Sequence, residues 1–469
     1  MNLSVALSSA QSALSATSTQ TSIISRNISG AADPGYSRKM GLTSSMGFGG
    51  VKVVSVGRTA DTALHARMLE ATSGASAQQA LLKGFETLAR TVDDPQLNQS
   101  VSASLGKLTD AMQMQAESPG DPVLGAATLS AAYDLTRTLN DAAQTTQRAR
   151  AEADAAMADS VDRINDLLTR FESANRAIVV GTQSGTDVSD ELDTRDRILG
   201  ELSQEVGIST VTRAGNDMVI YTDSGVTLFE KSARTISFNR TFAYDAGTTG
   251  AAVFADGVPL TGAGASMGIK SGALYGHAKL RDDVAPQYQL QLDEIARGLV
   301  HAFGEPDPGD APGIFVLGAG PGIAANIGVN PDVDPALGGD LARLRDGVTL
   351  NFNPAGDAAF SDRIYAMLEA LNAPQAFDPA TGINPNTTLA RFASSSVSWL
   401  EAGRQQASQE ASFRDTMLER TRESLSNVTG VNLDEELALM MELERSYGAS
   451  ARIIRTVDTM LQSLLAVTR

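Results

Sequence analysis

Three histidines, His65, His277 and His301, are the only imidazoles in the chain. They stand far apart, and none belongs to a His-Glu-x-x-His spacing that would aim two rings from one helix face at a zinc ion. Each reads as a surface or packing residue. Cysteine is absent, which removes thiolate metal sites and disulfide frameworks. Asp307, Asp310, Asp332 and Asp334 gather near prolines, as oxygen ligands for calcium would, yet the spaced loop with its closing bidentate Glu is missing. They read as solvated acidic loops. Ile314-Phe315-Val316-Leu317 followed by Gly318-Ala319-Gly320-Pro321-Gly322 imitates a strand leading into a dinucleotide loop. Pro321 and Pro331 leave no room for the helix whose N-terminus would hold a pyrophosphate, so this is a glycine-rich connector. No Walker loop or Gly-x-Ser-x-Gly elbow occurs, and the many Ser and Thr residues have no histidine partner for a triad. The sequence supports no catalysis, no cofactor and no metal.

What the residue spacing does support is association. Near the N-terminus, Leu3, Leu7, Ala10, Leu14, Thr17, Thr21, Ile24 and Ile28 alternate steps of four and three. Near the C-terminus, Leu433, Leu437, Met440, Leu443, Tyr447, Ala451, Ile454, Val457, Leu461 and Leu464 average close to the coiled-coil repeat of about 3.5. A helix with so narrow an apolar stripe needs a partner helix, and the simplest partner for each seam is the other. The chain then leaves and re-enters one helical stalk and carries its middle as an insertion. Glu442, Glu444, Arg445, Arg452 and Arg455 read as a solvated or inter-subunit face. The bland alternative for the C-terminal seam is an ordinary core helix.

Bulk properties narrow the partners. At 469 residues the chain has room for several domains, and 5% aromatic content with one tryptophan, Trp399, fits small cores or seams better than one large core. A formal charge of −18 leaves no basic surface for nucleic acid or an anionic membrane, so the partner is protein. No charge precedes Arg26, but Ser, Thr, Gln and Asn interrupt that stretch throughout, unlike a secretory signal. The uncharged stretch from Ala311 to Pro331 is broken by prolines and glycines and cannot span lipid as a helix. The expectation is a protein without membrane insertion that needs no cleaved Sec signal.

The expected fold is mainly α with an inserted β-rich domain. The first helix reads from Asn2 to Ser29 and stops at Gly30; Pro34-Gly35 then marks a β-turn, most simply of type II, with extended chain around Val51, Val53 and Val56. Helical text runs from Asp61 to Gln183, with loops at Asp93-Asp94-Pro95 and at Ser118 to Pro122. From Gly207 the text turns Thr-, Val- and Gly-rich, with Met218-Val219-Ile220-Tyr221 and Val226-Thr227-Leu228-Phe229 bounded by Gly215-Asn216 and Ser224-Gly225. Short strands at that spacing point to a small β-sandwich or barrel-like domain. Helix returns at Ala285–His301 and from Asn386 to Leu425. The expected division is a terminal coiled-coil domain of residues 1–60 with 426–469, a helical bundle of 61–206 with 285–425, and a β-rich insert of 207–284.

Asn27-Ile28-Ser29 leading to Pro34-Gly35-Tyr36-Ser37-Arg38 resembles the N-terminal signature of bacterial flagellar rod, hook and hook-associated proteins. Gly430-Val431-Asn432-Leu433-Asp434-Glu435-Glu436, with Met440, Tyr447 and Ala449-Ser450-Ala451-Arg452, resembles the matching C-terminal end. Leu192-Asp193-Thr194-Arg195-Asp196, Ser271-Gly272-Ala273-Leu274 to Arg281-Asp282, and Ala325-Asn326-Ile327-Gly328-Val329-Asn330-Pro331 are similar to segments of the hook–filament junction branch of that family. The sequence departs from the signature at Gly30, Ala32 and Asp33, where relatives carry Asn, Asn and Thr.

The resemblance implies a secreted structural protein with no enzymatic role. It would pass through the flagellar type III apparatus and assemble outside the cell between hook and filament. Implied partners are copies of itself, the hook protein, a second junction protein and an export chaperone. Assembly residues would be the seam positions above together with Pro34, Gly35 and Tyr36. The residues agree independently. Ala10, Thr17 and Thr21 offer little apolar area at about 25 cal/mol per Å². Backbone ordering costs about 1–2 kcal/mol per residue, so folding of the ends is expected to couple to assembly. Within the family, the alternative is another axial component, the hook protein or the second junction protein; of these the hook protein is disfavoured by the long helical stretch from Asp61 to Gln183. An acidic adhesin or phage-tail fibre would not need a Pro-Gly-Tyr-Ser-Arg turn after an uncharged helix.

Overall fold

The structure is a computed structural model that describes residues 3–46, 50–92, 100–305 and 312–467. The start of the first helix at Asn2, the loop at Asp93-Asp94-Pro95, and Asp307 and Asp310 lie outside the described residues.

The chain opens with helix α1 (Leu3–Gly30), and a turn leads into an antiparallel hairpin of β1 (Lys39–Met46) and β2 (Gly50–Arg58). A bulge between Leu42 and Thr43 leaves Val54 without a cross-strand partner. Helix α2 (Thr62–Ala89) starts where the Asp61 carboxylate accepts the Ala63 and Leu64 N–H groups, both at 2.9 Å. Helix α3 (Val101–Glu117) is capped by Ser100. Helix α4 (Pro122–Ser184) combines an Asp121 cap with proline in its first turn, and it ends at Gly185 in the left-handed region. Its 63 residues make it roughly 95 Å long at 1.5 Å per residue. Helix α5 (Ser189–Glu205) then returns along α4.

The β-rich text folds as two small antiparallel sheets. The first holds β3 (Ile208–Thr212), β4 (Met218–Thr222), β5 (Thr227–Glu230) and β6 (Ser232–Ala233) in that order. The second holds β7 (Ile236–Phe238), β8 (Val253–Ala255) and β9 (Val258–Pro259). Gly215 and Asn216, at φ 72° and 61°, make the turn between β3 and β4, a backbone that these two residue types tolerate. The sheets do not close into a sandwich or barrel. Strands this short cannot bury both faces among themselves, so they lean on helices: Phe229 of β5 meets Phe171 of α4 edge-to-face at 4.9 Å.

Helix resumes earlier than Ala285, as α6 (Ala273–Lys279), a π-turn over Leu280–Val284, and α7 (Ala285–Phe303). The glycine-rich connector holds a short hairpin of β10 (Phe315–Leu317) and β11 (Ile327–Val329) around the single turn α8 (Ile323–Asn326). After α9 (Arg343–Asp346), α10 (Asp362–Asn372) and the pair β12 (Gln375–Ala376) and β13 (Asn386–Thr387), two long helices finish the chain. They are α11 (Leu389–Thr429), which packs along α2, and α12 (Leu433–Val467), which packs along α1.

Two apolar cores result. One gathers α3, the first half of α4, α7, α10 and α11 around Leu105, Leu139, Leu292 and Phe392. The other joins the second half of α4 to α5 and the strands around Leu168, Leu199, Leu228 and Val253. Helix α4 runs through both, which makes the mainly helical body continuous with its β-rich insertion.

Candidate functional site

The turn after α1 is built by Asp33. Its carbonyl accepts the Tyr36 N–H at 3.0 Å and its carboxylate accepts the Gly35 N–H at 2.8 Å. Gly35 does not take a positive φ, so the turn is not type II as the Pro-Gly pair had implied. An acidic residue in first position, bonding back to the turn, favours the type I form instead. The same carboxylate meets Arg197 of α5 at 3.2 Å. Gly30 lets the Tyr36 ring lie against the end of α1: a Cβ there would sit 2.6 Å from the ring. The departures at Gly30 and Asp33 therefore each have a local physical role.

Folding back places the Tyr36 hydroxyl on Asn27, to which it donates at 2.9 Å. Burial pushes that hydroxyl up to about 12, so it keeps its proton and its donor role. Asn27 is 1% exposed and is a hub: its amide NH2 donates to the Lys39 carbonyl and to Glu436 Oε2, both at 3.0 Å, while its oxygen also accepts the Lys39 N–H at 2.9 Å. Glu436, also 1% exposed, receives Arg38 Nε at 2.6 Å. The Arg38 N–H donates to the last residue of α11, the Thr429 carbonyl, at 2.8 Å. One face of this junction thus ties α1 and the hairpin to α11 and α12.

The other face ties them to α5. The Lys39 ammonium is sealed from solvent, bonds the Asp193 carboxylate and the Ser189 carbonyl (3.1 Å), and lies 4.6 Å over the Tyr36 ring. Asp193 also accepts the Ser37 hydroxyl and N–H and Arg58 Nη1 at 2.8 Å. Arg58 reaches on to Asp196 at 2.6 Å. Arg26 bridges Asp187 at 3.0 Å and Asp190 at 2.8 Å. Burial opposes ionisation of Asp187, but the Ser189 hydroxyl and N–H and the Arg26 guanidinium outweigh it and hold the carboxyl below its usual range. His65 sits 3.9 Å from Asp196, and burial pushes its imidazole down, so it remains neutral. Buried charges this well paired act as a geometric clamp.

Among the described residues, no group of three or more metal-ligating side chains is arranged to hold an ion. No described helix is long and apolar enough to cross a membrane. The junction's chemistry is recognition between chain segments.

Family comparisons match two parts of the chain. The model for the flagellar hook-associated protein FlgK helical domain matches residues 85–306. The model for the flagellar basal body rod FlgEFG protein C-terminal region matches residues 425–467, and together they cover more than half of the sequence. The chain belongs to the flagellar hook-associated protein 1 (FlgK) family. It is a hook-associated axial protein of the flagellum, from a structural family. Among solved structures it is similar to the flagellar hook junction protein FlgK from Burkholderia pseudomallei at 19% identity, with a TM-score of 0.44. That likeness covers 54% of this chain and 47% of the other, so the chain spans about half of it. No curated protein matches.

In this FlgK-family chain the seam residues are unevenly covered. Ala10, Thr17 and Ile24 are buried, Leu3, Leu7, Leu14 and Ile28 are half-buried, and Thr21 is exposed. Helix α1 buries a second stripe, Ala16, Ile23 and Asn27, because the hairpin packs on it: a Cβ at Gly41 would sit 3.0 Å from Ile23. On α12, Val457 is buried and Met440, Leu443, Ala451 and Ile454 are half-buried. Leu433, Leu437, Tyr447, Leu461 and Leu464 are exposed by 40–56%. Pro34 is exposed, and Gly35 and Tyr36 are half-buried. Lys39 and Arg58 received no role from sequence reasoning. The available signal was that no Asp or Glu lies between Asp33 and Asp61, so every cation of that stretch must find its carboxylate elsewhere.

Proposed function

We propose that this chain is a structural subunit that assembles at the hook–filament junction after type III export and links hook to filament. The observation that carries the reading is the incomplete cover on α12. Leu433, Leu437, Met441, Ile453 and Met460 are 45–57% exposed along a helix whose only long partner among the described elements is α1. Large apolar side chains exposed in that number along one helix mark an interaction surface. Neighbouring copies cover it through heterologous contacts, which build a helical tube and not a closed dimer. The terminal coiled coil (1–60 with 426–469) forms the inner wall, the helical part (61–206 with 285–425) surrounds it, and the β-rich part (207–284) faces outward. The assembly surface comprises Leu3, Leu7, Leu14, Ile24 and Ile28 with Leu433, Leu437, Met440, Leu443, Tyr447, Ile454, Val457, Leu461 and Leu464, and the turn Pro34-Gly35-Tyr36 sets its angle to the body.

The hook protein lies on one side of this subunit and a second junction protein on the other, outside the cell. Before assembly an export chaperone covers α12, the largest apolar stripe on the free chain. A strain lacking this protein is expected to make hooks without filaments, scored by electron microscopy. Normal filaments in that strain would overturn the junction role. Truncation after Gly430 is expected to abolish chaperone binding, and undiminished binding would remove the chaperone from α12.

A further inference from the structure

The hairpin after α1 presents a face that the terminal coiled coil does not use. Met40, Leu42 and Ser44 alternate onto one side of β1, and their partners Gly57, Ser55 and Lys52 share that side. Met40 is 43% exposed, Leu42 56% and the bulge residue Val54 59%, while Lys52 is exposed beside them. The opposite side, with Gly41 against Ile23, rests on α1. The outer side therefore points away from α1 and from the α12 that packs on α1. It carries Met40, Leu42 and Val54 beside Ser44, Ser55 and one cation, in a stretch free of Asp and Glu within a chain of net charge −18.

Helix α12 carries the complement. Leu433, Leu437 and Met441 recur every four residues at 45%, 49% and 57% exposure, and exposed Glu444 continues the same flank. From Leu437 to Glu444 the flank spans roughly 10 Å. From Met40 to Ser44 the strand spans roughly 13 Å. An apolar row ending in a carboxylate thus matches an apolar row ending in an ammonium over a similar length.

We propose that the outer face of the β1–β2 hairpin docks on the Leu433-Leu437-Met441 flank of α12 in a second copy of this chain, with Lys52 meeting Glu444. The contact rests on the axial self-assembly proposed above and assigns the hairpin a lateral subunit interface of its own. Met40, Leu42 and Val54 bury against Leu437 and Met441, and the Lys52–Glu444 pair fixes register.

The test uses the full chain. Lys52→Glu and Glu444→Lys are each expected to weaken self-association in sedimentation velocity by about tenfold, and the double exchange is expected to restore it, because the pair is regained with reversed polarity. Because the chain has no cysteine, single-cysteine variants report contact directly. Leu42→Cys mixed with Met441→Cys is expected to form a disulfide dimer that Leu42→Cys mixed with Val180→Cys, an exposed control on α4, does not. Association that survives both single reversals, or equal cross-linking to the control, overturns this contact and leaves axial assembly standing. A wild-type chain that stays monomeric at every concentration, while its deletion strain lacks filaments, overturns the contact alone. The same monomer with normal filaments in the deletion strain overturns both readings.

Discussion

Lys39 and Asp193 show what a single side chain contributes here. Both are at most 5% exposed, and removing Asp193 strips the sealed Lys39 ammonium of its closest counterion, leaving only Asp190 at 3.6 Å, and takes one carboxylate from Arg58. Asp193→Ala is expected to cost about 3–5 kcal/mol in urea unfolding, the range for breaking a buried pair from one side. Lys39→Met in the Asp193→Leu background is expected to recover much of that loss, since two apolar residues leave no charge uncompensated. Asp187 makes a different, pH-dependent prediction. Its carboxyl is held below the ordinary 3.8, so the folded state releases the proton more readily than the unfolded one. Its stabilising contribution is complete above about pH 3.8 and is lost as pH falls through the lower folded value. Asp187→Asn is therefore expected to narrow its stability deficit against wild type on acidification; a deficit independent of pH would refute the linkage.

At the scale of elements, the terminal helices depend on two supports that can be separated. Ile24 is 6% exposed where α1 packs. Ile24→Ala is expected to cost about 2–5 kcal/mol, more than an isolated helix pair with half-exposed seams can supply. Hydrogen exchange should then show protection lost in α1 and α12 and kept in α4, whereas uniform loss would mean that the ends fold as one unit with the body. The turn is the second support. Gly30→Ala places a methyl group 2.6 Å from the stiff Tyr36 ring, and overpacking of this kind costs about 1–3 kcal/mol. An unchanged melting temperature would mean that the ring can leave α1 at no cost. Both elements were legible in part. Heptad spacing marked α1 and α12 because a seam is a local pattern, and Pro34-Gly35 marked the turn, but its type depended on the Asp33 side chain. The hairpin's grip on α1 was not legible, since Ile23 and Asn27 lie one position off the heptad.

For the molecule as a whole, the π-turn over Leu280–Val284 anchors the β-rich insertion to α4. Arg281, with its side chain fully buried, bonds Asp154 at 2.6 Å, and the same carboxylate accepts the Tyr244 hydroxyl at 2.7 Å and the Thr241 N–H at 2.8 Å. Arg281 also donates to the Ala251 carbonyl at 2.8 Å. A chain of long loops is thereby tied to the helix that runs through both cores. Arg281→Ala is expected to lose about 3–5 kcal/mol by leaving Asp154 buried and without its cation. Its denaturant m-value should also change if the insertion detaches before the helical body. A single cooperative transition with an unaltered slope would show that the two cores unfold together regardless.

The sequence by itself determined the local patterns: seams spaced for coiled-coil packing, glycine and asparagine where the backbone needs positive φ, and no cysteine or histidine arrangement for chemistry. These are legible because helix period and turn chemistry act over a few residues. Only the tertiary structure decided that Asn27, Tyr36, Lys39, Asp193 and Glu436 form one junction, across separations as long as the 409 residues from Asn27 to Glu436. It also decided which side of α12 the hairpin-bearing α1 covers and which remains open. Such choices depend on how the whole chain returns on itself: a buried charge is tolerable only where folding brings its counterion.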